Sequence, residues 1–276
     1  MRLENPAAQI QVGFVALLAA AAWVRPLQRP RQFTVTALAL FTVGAVLLAH
    51  FSRGWLSSFA YSILWDWLPV PLLLVPYWQV GQFITDTDPK MERRLAAFDG
   101  AFFRALGIEP GKISISVWVA GYLELAYLVV YPVVPLGLVA LYVAGLRSYV
   151  SYYWIVVLTA TYLCFAITPF VRAMPPRVLS DYENFKVPTS QVAAVNGFIL
   201  RRGSIKAITF PSGHVSSALA AALVLLRLDP WVGLIFLIVA LSIAVATVVG
   251  GYHYAADVLS ASVIALVVFT GTFWMS

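Results

Sequence analysis

Two short stretches hold the residues best placed to do chemistry. One is FPSGHVSSA, Phe210 to Ala218, with His214 behind a Pro-Ser-Gly turn. The other is GGYHYAAD, Gly250 to Asp257, where His253 and Asp257 stand four apart. On a helix that spacing puts both on one face. The carboxylate can then accept a hydrogen bond from one imidazole nitrogen, leaving the other more basic and fixed in direction. That is the preparation of a nucleophile. The Ser212-Gly213 turn reads as a helix start, whose first backbone N–H groups lack partners and attract anions, phosphate above all. A histidine in that first turn lies against the anion as proton donor or nucleophile. Taken alone, these nine residues also fit a helix cap bearing a surface histidine. The pair His253 and Asp257 tips the reading toward chemistry. The chain has three histidines, and the third, His50, ends an apolar run with no partner in the sequence.

The elements that must position these residues are membrane helices. Apolar runs cover Phe33 to Phe51, Ser58 to Val80, Ile113 to Leu146, Tyr149 to Phe170, Trp231 to Val249 and Tyr254 to Trp274. Most reach the roughly 20 residues that a helix needs to cross a bilayer. Ile10 to Val24 and Val215 to Leu228 are shorter; counting them gives about eight spans, and discounting them six to seven. Arg25-Pro26 ends the first of these abruptly, so it reads as a retained span or an interfacial helix, not a removed signal peptide. From His214 the chain runs down Val215 to Leu228, turns at Asp229-Pro230 and returns along Trp231 to Val249. The return leg is roughly 28 Å long, about one hydrocarbon thickness. An antiparallel pair therefore brings His253 back to the face of His214, and Gly250-Gly251 supplies the bend.

Composition agrees. The chain is 61% hydrophobic and 11% charged, against about 25% charged residues in a soluble domain. The net charge of +6 suits anionic lipids. The cations are scattered between spans, which argues against nucleic acid as a partner. The single cysteine, Cys164, lies within a span and excludes a disulfide framework. No cluster of acidic, histidine or cysteine residues has metal-ligand spacing, so neither metal nor cofactor is expected.

Two polar segments interrupt the spans. In Thr85 to Lys112, Met91, Leu95, Phe98, Phe102 and Leu106 recur at helical spacing, while Lys90, Arg93, Arg94 and Arg104 are polar. This predicts an amphipathic helix from Asp88-Pro89 to Gly107, lying in the lipid interface or packed on a neighbouring loop. The second, Arg172 to Thr209, carries Arg172, Arg177, Lys186, Arg201, Arg202 and Lys206 against Asp181 and Glu183. It reads as a site for an anionic head group or as a basic face at the membrane surface. Two acids, Asp66 and Glu124, fall inside apolar runs. Unpaired, each would cost at least ~2.5 kcal/mol there, which predicts pairing with an arginine or a tyrosine hydroxyl.

PSGH followed by HYAAD resembles the second and third motifs of the type 2 phosphatidic acid phosphatase superfamily. In the third motif His253 and Asp257 match, but its Ser-Arg pair is replaced by Ala246 and Thr247. The first motif, Lys, six residues, Arg-Pro, is absent as written. RAMPPR stands in its place, offering Arg177, with Arg172 five residues earlier. Both departures resemble the branch that includes inositol phosphorylceramide and sphingomyelin synthases. The resemblance implies an all-α polytopic membrane bundle. A six-helix catalytic domain over 57–276 would follow an N-terminal membrane hairpin over 1–56. It further implies His253 as nucleophile oriented by Asp257, and His214 as proton donor. Arg177, the amides of Ser212 and Gly213, and Lys206 or Arg172 would bind phosphate. The substrate would be a lipid phosphate or pyrophosphate, phosphatidate-like or polyprenyl, and the reaction hydrolysis or transfer to a lipid acceptor. A non-catalytic lipid-binding protein is a third reading, opposed by the intact His/His/Asp set.

Orientation divides the arguments. Eight cations from Arg25 to Lys112 share the face of the catalytic loop, against Arg2, Arg53, Arg147 and Arg227 opposite. The positive-inside rule would put the site in the cytosol. The resemblance implies the outer or lumenal face instead. Five of the eight cations belong to the amphipathic helix and its flanks, where they also serve lipid head groups. The expectation is a plasma (inner) membrane protein with an extracytoplasmic site and cytoplasmic termini.

Overall fold

The computed structural model describes residues 5–180, 182, 185–205 and 207–275. It is an all-α membrane bundle with no strand among the described residues. An N-terminal hairpin is formed by α1 (Pro6–Val24) and α2 (Arg29–Phe51). The Asn5 side chain caps α1 by accepting the Ala8 N–H, and Pro6 fills the first position, where no donor is missed. The next span breaks into α3 (Ser58–Trp67), α4 (Pro69–Leu72) and α5 (Leu74–Gln82). Pro69 and Pro71 cause the breaks, since proline lacks the helical donor and its ring crowds the carbonyl four residues back. Buried glutamines join hairpin to span. Gln79 donates to the carbonyl of Val35 at 2.9 Å, and Gln11 to that of Pro69 at 3.1 Å.

The amphipathic helix α6 (Pro89–Ala105) starts and stops where the sequence predicts, capped by Asp88 and ended by Gly107 in the left-handed region. Its stripe is divided differently, however. Leu95 and Phe103 are buried with Asp99 between them, while Phe98 and Leu106 remain exposed. The run Ile113 to Leu146, expected as one span, is two helices, α7 (Val117–Val129) and α8 (Val133–Val143), bent by 73°. Pro132 sits in the break, for the same reason as above. Then come α9 (Val150–Ile167), α10 (Gln191–Gly203), α11 (Gly213–Leu228), α12 (Pro230–Val249) and α13 (Ala255–Gly271). Among the described residues five segments are long and apolar enough to cross a membrane, and the bent pair makes a sixth. The last two expected spans, α11 and α13, are shorter apolar helices that both begin at the histidine loops.

The core lies where α9, α11, α12 and α13 meet. The α11 sequence SSALAAALV is buried on nearly every side, and its small residues let neighbouring backbones approach closely. The closest approach is at Gly233 in α12. A Cβ there would stand 2.0 Å from the Leu226 Cα and 2.1 Å from its nitrogen. Backbone cannot yield as a side-chain tip can. Gly233→Ala is therefore expected to pry the α11–α12 hairpin apart and cost upwards of about 2 kcal/mol, read as a lower unfolding temperature in detergent.

The acids inside apolar runs are paired, as expected. Asp66 accepts from Tyr142 at 2.5 Å and from the Arg147 Nε at 2.8 Å. Glu124 accepts from Tyr252 at 2.8 Å and from the Asn196 amide at 2.6 Å.

Candidate active site

His253 stands in the turn between α12 and α13. Gly251 takes a φ of 64°, a left-handed conformation that other residues enter only with strain. The Thr247 carbonyl then accepts the N–H groups of Tyr252 at 2.9 Å and His253 at 3.0 Å, folding the turn back onto the end of α12. Asp257 follows in the first turn of α13. Its Oδ2 lies 3.0 Å from the His253 Nδ1 and accepts the Tyr254 N–H at 3.1 Å. Where Oδ2 accepts from the ring as it does from the Tyr254 N–H, the imidazole proton is on Nδ1 and the lone pair on Nε2. His253 is 5% exposed and Asp257 fully buried. Burial, and then the charge of Arg177, push the His253 imidazole down to about 3. It is therefore neutral at physiological pH, as a nucleophile must be.

His214 sits in the first turn of α11, where the Ser212 hydroxyl accepts the Val215 N–H at 3.4 Å. Its ring centroid lies 6.2 Å from that of His253, with the planes at 77°. The helical hairpin thus delivers both histidines to one place, as the run lengths predict. The His214 Nδ1 is buried and has no hydrogen-bond partner among the described residues. Tyr127 and Tyr131 face its ring edge-on at 6.3 and 6.1 Å.

The expected phosphate ligands divide. Arg177 lies against the histidine turn: its backbone N–H donates to the Gly251 carbonyl at 3.0 Å and its guanidinium lies 4.3 Å over the Tyr252 ring. Tyr252 stacks on Tyr127 at 3.7 Å and donates to Glu124. The ladder Arg177–Tyr252–Tyr127 therefore rests on a buried carboxylate and fixes the guanidinium beside the histidines. Arg172 turns instead to Asp86, with which it forms an ion pair. Lys206 lies outside the described residues. The amides of Ser212 and Gly213 are engaged within the chain, with the Asp257 carbonyl and the Thr209 hydroxyl, each at 3.3 Å. These bonds are at the long end of the range, and a phosphate would have to compete with them. Thr247, at the position of the missing arginine, is fully buried and its hydroxyl donates to the Ala244 carbonyl at 2.8 Å.

A largely apolar cavity of about 400 Å³ opens between the two broken spans and reaches His214. Val70 and Pro71 line it from one break, Tyr131 and Val134 from the other, and Phe165 from α9. Sequence reasoning missed Tyr127 and Tyr252 as supports of Arg177, since neither carries a motif. It also missed Asp99, a buried acid on α6 that accepts the N–H groups of Ala255 and Ala256.

No curated protein and no solved structure matches the chain. A family model described as the PAP2 superfamily, whose members are phosphatases or phosphotransferases, matches residues 107–271. The matched region runs from α7 through α13, is more than half of the chain, and includes Arg177, His214, His253 and Asp257. On that match, which takes in both histidines whose rings lie 6.2 Å apart, the chain belongs to the PAP2 superfamily.

Proposed function

We propose that this chain is an integral-membrane lipid phosphatase that hydrolyses a phosphomonoester or pyrophosphate of a phosphatidate-like or polyprenyl lipid. The observation that carries this reading is His253, held by the Asp257 carboxyl at 3.0 Å with its ring 6.2 Å from that of His214. The His253 Nε2 attacks phosphorus, forming a P–N bond as the bond to the lipid oxygen breaks. Burial and the neighbouring His253 push the His214 imidazole down to about 3 as well, so His214 takes up its proton together with the anionic phosphate and then gives it to that oxygen. In the second half, His214 takes a proton from the water that attacks phosphorus, and the P–N bond breaks to release phosphate. Asp257 balances the charge that the imidazole acquires. The Arg177 guanidinium supplies the fixed positive charge that phosphoryl transfer needs at the equatorial oxygens. The apolar cavity at His214 suits a hydrocarbon chain on the leaving side.

A second reading has an observation of its own. The cavity that reaches His214 is apolar, and His253 is 5% exposed. Both favour a lipid hydroxyl over bulk water as acceptor, which would make the protein a head-group phosphotransferase. Purified protein incubated with phosphatidate or a polyprenyl diphosphate, with and without diacylglycerol or ceramide, separates the readings. Free phosphate supports hydrolysis, and a new phospholipid supports transfer. Neither product would leave a lipid-binding protein.

The proposed orientation in the inner membrane is an extracytoplasmic site with both termini cytoplasmic. A reporter enzyme that works only in the cytosol, fused after Ser276, is expected to be active. Silence there would reverse the orientation.

A further inference from the structure

The interfacial helix carries an acid that the chemistry above does not use. Asp99 is 1% exposed, although the four cations of its helix, Lys90, Arg93, Arg94 and Arg104, are exposed. Its Oδ2 accepts the Tyr182 hydroxyl at 2.5 Å and the Ala255 N–H at 3.0 Å, and its Oδ1 accepts the Ala256 N–H at 3.3 Å. Burial raises its carboxyl above the ordinary range, and these three donors oppose the rise. Ala255 and Ala256 are the first two residues of α13, and Asp257 is the third. The N-cap residue, Tyr254, makes no side-chain bond to this helix start. Asp99, some 156 residues away, supplies the cap instead.

The consequence falls on the His253 pair. The Asp257 Oδ2 is shared between the His253 Nδ1 and the Tyr254 N–H, and its Oδ1 is buried without a partner. If the Ala255 and Ala256 amides lost their acceptor, they would be unpaired donors in the same turn as that carboxylate. An unpaired buried donor is costly, and the Asp257 Oδ1, in the same helical turn, is an acceptor without a partner among the described residues. The carboxylate would swing toward the helix axis and away from the imidazole. We propose that Asp99 is a positioning residue: by capping α13 from the interfacial helix, it reserves the Asp257 carboxylate for His253 and so sets the imidazole tautomer. The catalytic reading of His253 underlies the kinetic part of this proposal but not its structural part.

The test uses both. With three histidines in the chain, ¹⁵N-histidine labelling of the full protein in nanodiscs resolves each imidazole. Wild type is expected to show His253 as one tautomer, protonated at Nδ1. Asp99→Ala should give a tautomer mixture at His253 with His50 and His214 unchanged, and kcat should fall roughly ten- to a hundredfold with KM held. Asp99→Asn keeps one acceptor oxygen and should fall between, and it stands in should the alanine variant not fold. A wild-type His253 signal in either folded variant overturns the proposal, whatever happens to the melting temperature. If wild-type protein turns over no lipid phosphate, the function reading fails while the tautomer shift still decides the role of Asp99.

Discussion

His253→Ala is expected to lower turnover of a lipid phosphate by at least about 10⁴-fold, because it removes the atom that bonds to phosphorus. His214→Ala should fail as completely. Without its proton the lipid oxygen must leave as an alkoxide or phosphate anion into the apolar cavity that His214 lines, where charge is poorly solvated. Asp257→Asn is the informative contrast. It keeps the shape but turns an acceptor into a group that can also donate, so it perturbs the His253 tautomer without deleting the nucleophile. A small residual rate should survive, and initial-rate assays of the three variants check the order. More than a few per cent of wild-type activity in His253→Ala would sink the mechanism.

The second large effect is expected at Arg177. With Thr247 buried where the family motif has arginine, Arg177 is the guanidinium that the fold holds against the histidine turn. Lysine keeps the charge but not the planar fork, which can grip two phosphate oxygens at once and here sits over the Tyr252 ring. Arg177→Lys should therefore lose about 10²-fold or more in kcat/KM. Arg172→Lys should stay near wild type, because its partner is the exposed Asp86. The opposite pattern would mean that Arg172 is the ligand standing in for the first motif.

The contrast between these arginines shows what a sequence can carry. The hairpin that joins His214 to His253 was readable because it rests on two quantities, helix rise and bilayer thickness, which do not depend on neighbours. The boundaries of α6 were readable because Asp88-Pro89 and Gly107 act locally. The bend in Ile113 to Leu146 was missed because hydropathy averages over the run, whereas a break depends on the missing donor of one residue, Pro132. Asp99 left no signal. In sequence it is one more charge on an amphipathic helix, and its value arises from two amides 156 and 157 residues away. The Ser212 and Gly213 amides were assigned to phosphate from a helix start and a motif resemblance, and only the packed structure reveals their internal partners.

The most direct measurement is to trap the covalent intermediate. Protein mixed with ³²P-labelled phosphatidate or polyprenyl diphosphate and quenched within one turnover is expected to carry a phosphoryl group stable to alkali and labile to acid, as an N–P bond requires. Mass spectrometry should place it on the peptide containing His253. His253→Ala should take up no label, and His214→Ala should take up little, since the leaving oxygen is not protonated. Label on another residue, or full turnover with no phosphoenzyme at any quench time, would contradict a mechanism that runs through His253.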